Sequence, residues 1–461
     1  MSKGIIIVGL GPGAGEALTL EARSILSGTR QVFVRTARHP SIAYLPATCQ
    51  ILSFDEIYEH AANTEEVYQQ IAAKVCELGR RDEGVVYAVP GHPLVAETSV
   101  QHILRRAREE GMPLRIAGGL SFIEPVCTAL GLDPIEGLQI ADATALALCH
   151  YPPFNPDCPV LLGQLHSRSL AADVKLALMM VYPDEHPLML VKAAGTDEEN
   201  LCQLSLCELD RRDQFDHLTT LYVPPLSTPG SFQAFQDLVA RLRSPGGCPW
   251  DREQTHPSLR SSLLEETHEV LQALDDQDPA ALKEELGDLL LQILLHSQIA
   301  TEESEFRMPE VISQVIEKLK RRHPHVFGQT TVEGAHEVLA NWERIKSEER
   351  KKSGGAGLFD SIPAALPALA RAQAVQDRAR RRGARQMESG HSWAYIDQAL
   401  QALRLSDSSE QGAQTMGQLL FGLAGLACEQ SIDAESALRG AVREFATTYD
   451  KEARASEVRG G

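Results

Sequence analysis

A chain of 461 residues is too long for one ordinary hydrophobic core, and its 43 % hydrophobic content can supply two or three domains. The formal charge of −19 sets it against nonspecific binding to nucleic acid or to an anionic membrane, both of which need a net basic surface. Nine cysteines without C-x-x-C pairs, no apolar run of about 18 residues and no charged-then-apolar opening predict a soluble cytoplasmic protein with reduced thiols.

In chain order, GIIIVGLGPGAGEALTLEARSIL predicts a buried strand, a turn through Gly9, Gly11, Gly13 and Gly15, and then a helix. Strand-like runs recur at VVYAVPG, LRIAGG, PVLLGQL, LMLVKAAG and LTTLYVPP with helical stretches between them, the alternation of an α/β fold. The G-x-G-x-x-G register is loose, because Ala14 stands at the third glycine. No ribose-binding acid follows a second strand at the expected spacing, which argues against a nicotinamide site. LSTPGSF at 226–232 predicts a turn-rich linker, and beyond it the strand signal vanishes.

LEETHEVLQALDDQDPAALKEELGDLLL at 264–291 carries the most chemistry. Glu266 and Glu269 stand three apart in one amphipathic run, Glu285 and Asp288 three apart in the next, and DDQDP with Pro279 breaks the two. Residues i and i+3 share a helix face. Leu263, Val270, Leu271 and Leu274, then Leu286, Leu289, Leu290 and Ile293, form the apolar stripes expected to pack the helices together. The four carboxylates then converge, and a hard cation, Mg²⁺ or Mn²⁺, is the partner that all-oxygen ligation suits. The bland alternative is two solvated acidic faces.

Two resemblances follow. VGLGPGAGEALTLEA, YAVPGHPLVAE and AGGLSF, within residues 1–225, resemble the tetrapyrrole (corrin/porphyrin) methylase family, whose members bind S-adenosylmethionine between two α/β lobes. The resemblance implies that the loop of Gly9, Gly11 and Gly13 approaches the cleft. It also implies that Pro90, Gly91 and His92, with Gly118, Gly119, Leu120 and Ser121, surround the methyl donor, and that a tetrapyrrole-like molecule is the acceptor. Ala14 and His92 replace the acids usual in those loops, a departure that bears on methyl transfer more than on donor binding.

Residues 232–352, with SPGGCPWDREQTH, the paired E-x-x-E and E-x-x-D motifs, KLKRRHPHVFG and NWERIKSEERKK, resemble the MazG family of nucleoside triphosphate pyrophosphohydrolases. The order of the two domains resembles a Bacillus-type fusion. The family places metal ligands at Glu266, Glu269, Glu285 and Asp288, and phosphate-binding cations at positions matching Lys318, Arg322 and Lys346, the last beside Trp342. Lys318 and Arg322 are i and i+4, as are Trp342 and Lys346, so each pair shares a face. Trp250 is either a core aromatic or a nucleobase contact, and His323 and His325 read as structural residues or outer neighbours of the site rather than ligands, because an oxygen-rich site wants a hard metal.

The remainder, 358–461, repeats the helical design in eroded form. EELGDLLLQILLH at 284–296 aligns with QTMGQLLFGLAGL at 414–426, and EKLKRRH at 317–323 with REFATTY at 443–449. Asp288, Lys318 and Arg322 thereby become Gln418, Glu444 and Thr448, as in a copy without catalytic function. The run from Arg371 to Arg385 and the DSSEQGAQ segment predict a mobile or solvated connection without chemistry of its own.

The sequence thus predicts a two-lobed α/β methylase-like domain followed by all-α MazG-like domains, one catalytic and one degenerate. The expected reaction is Mg²⁺-dependent hydrolysis of a nucleoside triphosphate to monophosphate and pyrophosphate. The helical half is expected to be completed as a homodimer or an internal pseudo-dimer. The rival readings are a methyltransferase with a regulatory helical part and a non-catalytic scaffold.

Overall fold

A computed structural model of the chain describes residues 4–61, 63–213, 215–352, 357–360, 362–381, 393–406 and 408–460. It forms two compact units, Met1–Met308 and Pro309–Gly461. The fold is a multidomain one, an α/β region followed by helices.

The first sheet holds β1 (Ile5–Gly9), β2 (Gln31–Val34), β3 (Gln50–Ser53), β4 (Val85–Val89) and β5 (Leu114–Ala117) in the order β3-β2-β4-β1-β5, every pair parallel. Its helices are α1 (Leu20–Ser27), α2 (Asp55–His60), α3 (Thr64–Gly79) and α4 (Thr98–Glu109). Alternate side chains serve opposite faces. Ile5, Ile7, Val85 and Tyr87 pack with Ile71 and Val75 of α3 and Ile103 of α4, while Val8 and Ala88 pack with Ala22 and Leu26 of α1. Burial on both faces explains why IIIVG and VVYAV read as almost unbroken apolar runs.

The second sheet holds β6 (Gln139–Asp142), β7 (Val160–Gly163), β8 (Pro187–Lys192), β9 (Asn200–Ser205) and β10 (Thr219–Val223) in the order β6-β7-β10-β8-β9. Only β6 and β7 pair in parallel, and the other neighbours are antiparallel. Of its helices α5 (Ile123–Leu130), α6 (Ala143–Leu146) and α7 (Arg168–Leu178), α7 covers Leu162, Leu190 and Leu221, and α5 covers Leu161 and Val191. Four strands are not marked by the apolar runs: β2, a four-residue interior strand opened by Gln31, and β3, β6 and β9, which are sheet edges. Edge strands tolerate polar residues, so QILS, QIAD and NLCQLS lack the signal of a buried strand.

The first unit ends with α8 (Phe232–Arg243), α9 (Pro249–Glu253), α10 (Arg260–Asp276) and α11 (Pro279–Glu302). The turn-rich 226–232 segment is pinned: the Asp157 carboxylate accepts hydrogen bonds from the amides of Gly230 (2.8 Å) and Ser231 (3.0 Å), and Ser231 caps α8. Val239 of α8 packs with Leu259 and with Leu294, Leu295 and Ile299 of α11. The predicted stripe is partly displaced. Leu274, Leu286 and Ile293 are 52 %, 49 % and 43 % exposed, and the buried face of α11 runs through Leu294, Leu295, Ile299 and Ala300 instead.

The described helices of the second unit are α12 (Met308–Arg322, whose first residue closes the preceding unit), α13 (Pro324–Phe327), α14 (Ala335–Lys352), α15 (Ala368–Arg381), α16 (Trp393–Arg404), α17 (Ser409–Glu429) and α18 (Ala434–Gly460). The hairpin of α16 and α17 buries Ile396, Ala399 and Leu419. The solvated connection expected at Arg371–Arg385 is corrected over its described part. Residues 371–381 lie in α15, where Gln376 is 1 % exposed and donates to the carbonyl of Phe421 at 2.7 Å. In DSSEQGAQ, Ser408 caps α17 and residues 409–414 are its first turns. Residues 382–385 and Asp407 lie outside the described residues.

Three glycine-bearing loops cross at the top of the first sheet. Gly11 and Gly91 exchange backbone hydrogen bonds, Gly11 N–H to Gly91 O at 3.2 Å and Gly91 N–H to Gly11 O at 2.8 Å. A Cβ on Gly119 would stand 2.6 Å from the Gly91 carbonyl oxygen and 3.0 Å from Gly9, contacts with backbone that has no rotamer to yield. A Cβ on Gly417, inside α17, would meet nothing within 4 Å. Gly119→Ala is therefore expected to lower stability by about 1–3 kcal/mol, and Gly417→Ala to raise it by roughly 0.5–1 kcal/mol through the gain in helix propensity. Denaturant melts of both variants check the pair; equal effects would show that the loops are not closely apposed.

Candidate functional site

The turn between α10 and α11 fixes the acidic residues. Gln277 ends α10 in the left-handed conformation (φ 54°), Asp278 accepts from the amides of Ala280 (2.9 Å) and Ala281 (3.2 Å), and Pro279 occupies the first turn of α11. The helices thus fold back as a hairpin. Carboxylate oxygens of Glu266, Glu285 and Asp288 come within 4.8 Å of one another. Glu269, the remaining predicted ligand, shares a hydrogen bond with Glu266.

The electrostatics follow from that crowding. Desolvation, then the charges of Asp288 and Glu269, push the Glu266 carboxyl above its ordinary value. Desolvation and the charges of Glu269, Glu284 and Asp288 do the same to Glu285. Acids that resist ionisation as a group are satisfied by a cation, and an all-oxygen donor set fits Mg²⁺ or Mn²⁺. Trp250, on α9, is 60 % exposed, so the core reading of that residue is corrected; its ring is open to solvent.

Lys318, Arg322, Trp342 and Lys346 belong to the second unit. Lys346 Nζ stands 4.2 Å from the centre of the Trp342 ring and the Arg322 guanidinium 5.4 Å from it, so the indole attracts both cations. Sequence reasoning missed Glu349. Its carboxylate receives Arg322 at 2.6 Å and Arg321 at 2.6 Å, and the two arginines hold it below the ordinary carboxylate range. His323 hydrogen-bonds through Nδ1 to the Leu319 carbonyl at 2.8 Å.

A cleft of about 650 Å³ lies in the α/β region, lined from both sheets. Pro90, Gly91, His92 and Ser121 line it, whereas Gly9, Gly11, Gly13, Gly118 and Gly119 do not. Its wall includes Arg35, paired with the buried Glu97 at 3.3 Å; Ser99 donates to Glu97 at 2.7 Å and stands 2.8 Å from the Tyr87 hydroxyl. Burial opposes the charge on Arg35, and Glu97 with neighbouring phenols outweighs it, so the guanidinium stays ionised. Burial, then His217 and Arg35, push His39 down to about 4, leaving it neutral at pH 7. Ala96, Gln164 and Ala193 also line the cleft, with φ of 52°, 64° and 50°. Such left-handed non-glycine residues concentrate where a ligand is held. Apart from the glycine-rich loops, none of these positions carries a local sequence motif.

Without a cation the acidic hairpin opposes its own folding. A carboxyl raised above 4.5 in the folded chain contributes stability below that pH and loses it as pH rises through the folded value. Glu269→Gln removes a negative neighbour of both Glu266 and Glu285. In metal-free buffer at pH 7 it is expected to raise the thermal midpoint, with the gain shrinking toward pH 4. A midpoint that is unchanged or lower at pH 7 would show that the acids do not repel.

Comparison with known proteins identifies a relative for each half of the chain. Residues 4–210 match the model of the Tetrapyrrole (Corrin/Porphyrin) Methylases and residues 254–327 that of the MazG nucleotide pyrophosphohydrolase domain. Protein YabN of Bacillus subtilis is 41 % identical over 386 residues, which is 82 % of this chain and 77 % of that one. The nucleoside triphosphate pyrophosphohydrolase/pyrophosphatase MazG of Thermotoga maritima is 37 % identical over 220 residues, 48 % of this chain and 84 % of its own. The nucleoside triphosphate pyrophosphohydrolase of Escherichia coli is 38 % identical over 229 residues, 48 % of this chain and 87 % of its own. The chain belongs to the family in which a tetrapyrrole methylase domain is fused to a MazG domain.

Proposed function

We propose that the chain hydrolyses nucleoside triphosphates to monophosphate and pyrophosphate, using the acids of α10 and α11. The observation that carries this reading is the convergence of Glu266, Glu285 and Asp288 within 4.8 Å, with Glu269 bonded to Glu266. A triphosphate with about four negative charges approaches such a site only with cations between. The four carboxylates would hold Mg²⁺ or Mn²⁺, which when bound screens the phosphates and lowers the pKa of a water molecule. One of the four acids, through a carboxylate oxygen not spent on the cation, would take up the proton that the attacking water loses.

The same reading gives Lys318, Arg322 and Lys346 the charge that develops on the leaving pyrophosphate. Arg322 must then exchange Glu349 for phosphate, a trade between two anions that its planar fork fits equally well. Trp250 offers an exposed indole to the base. Residues 232–352 are the proposed catalytic domain, 358–461 its copy without catalytic acids, and 1–225 the methylase-like domain.

Two experiments test the hydrolase reading. Incubated with Mg²⁺ and a panel of nucleoside triphosphates, the full chain is expected to release pyrophosphate, and Glu269→Gln to release none. Inorganic phosphate and diphosphate nucleotide as the products would contradict the reaction class. Arg322→Ala and Lys346→Ala are each expected to cut kcat/KM about a hundredfold, equivalent to about 2.7 kcal/mol, while Lys320→Ala costs little. Equal mild losses at all three, erased by salt, would reduce the cations to steering.

A second reading rests on the cleft, whose size, left-handed residues and charged wall suit a methyl donor of S-adenosylmethionine type. Calorimetry on the full chain is expected to show S-adenosylmethionine or its demethylated product binding with a Kd in the micromolar range, about 8 kcal/mol. No heat at millimolar ligand would remove the donor. With His92 where the family has an acid, transfer to a tetrapyrrole-like acceptor is the weaker half of this reading.

A further inference from the structure

At the far end of α11 from the paired acids, a second set of metal-binding groups converges on different chemistry. One ring nitrogen of His256 and one carboxylate oxygen each of Glu303 and Glu305 lie within 4.8 Å of one another. Glu303 lies fifteen residues beyond Asp288, about 22 Å along a helix at 1.5 Å per residue, so this is a separate place.

Several features build it. Ser304 adopts a left-handed conformation (φ 60°) just past the end of α11, between the two glutamates. Arg243, whose side chain is 5 % exposed, joins the segment leading to His256 to that same helix end. It pairs with Glu302 at 2.7 Å and donates to the carbonyls of Asp251 and Gln254, the latter at 3.2 Å. His256 itself is held by a second imidazole. Its Nδ1 lies 2.7 Å from Nδ1 of His296, and the rings stack 5.0 Å apart at 7°. One of those nitrogens must carry the hydrogen and the other the lone pair. His296 has its own Nε2 buried without a hydrogen-bond partner. If His256 is the donor, its Nε2 keeps a lone pair, and it has the outer hydrogen bond that usually orients a metal-bound histidine. The C-terminal end of α11 adds the negative pole of the helix dipole.

We propose that His256, Glu303 and Glu305 form a second divalent-cation site, for a borderline metal such as Zn²⁺, that ties the His256 loop to the end of α11. One nitrogen and two carboxylates give two negative charges and a donor set unlike the all-oxygen hairpin, so the two places differ in metal preference. With two protein carboxylates and one histidine, water completes the coordination on the solvent side, as the exposure of both glutamates allows.

The test uses the full chain stripped with chelator, saturated with Mg²⁺ and dialysed against Zn²⁺, with bound zinc counted by mass spectrometry. The double variant E303Q/E305Q, altered only at exposed positions, is expected to bind one zinc fewer than the wild type, and H256A likewise. E269Q is expected to keep that zinc. Zn²⁺ added over Mg²⁺ should also raise the thermal midpoint of the wild type and not of the double variant. Equal zinc content in E303Q/E305Q and wild type overturns the site. A loss in the double variant with none in folded H256A overturns it too, since the nitrogen would then not be a ligand.

Discussion

The mutual repulsion of carboxylates across the α10–α11 hairpin is the constraint that the helical end of the first unit has to bear. Apolar packing of Leu259, Leu294, Leu295 and Ile299 with α8 holds α11 in place, and the Gln277–Pro279 turn brings α10 back along it. The acids are then crowded by a frame whose stability comes from elsewhere. Glu266 and Glu285 record that cost as a raised affinity for protons. A frame that pays for like charges in this way holds a site ready for cations, whereas solvated acids on free helices would move apart.

The α/β half follows a parallel logic with backbone in place of charge. Gly9, Gly91 and Gly119 press together so closely that Gly9 and Gly119 have no room for a side chain, and that crossing sets the loops at the ends of β1, β4 and β5. The glycines that look like ligand contacts are therefore mostly contacts between strands' ends, and the cleft is lined by their neighbours Pro90, His92 and Ser121 and by Gly91 itself. Arg35 and Glu97 add a buried ion pair to the wall, a strong local field where a charged or polar ligand would lie.

What was legible in the sequence is what is local. The i, i+3 acids, the Asp278–Pro279 break and the Trp342–Lys346 contact all follow from helical periodicity. The partners that tertiary packing chooses were not legible. Glu349 meets Arg321 and Arg322 from 28 and 27 residues away, and Arg35 meets Glu97 from another strand's loop. The helix α15 was hidden because its buried residues are Gln376 and the small Ala379, and the hydrogen bond of Gln376 to Phe421 stands in for an apolar stripe. Edge strands β3, β6 and β9 were hidden because water on one side frees them from apolar residues.

The central claim is that the hairpin acids act as one electrostatic unit awaiting a cation, and carboxyl-carbon NMR reads that unit directly. With Glu carbons labelled and Glu266 and Glu285 assigned by substitution, both carboxyls are predicted to titrate above 4.5 in metal-free protein and well below it once Mg²⁺ is saturating. Ordinary titration of both, unmoved by Mg²⁺, would contradict the account.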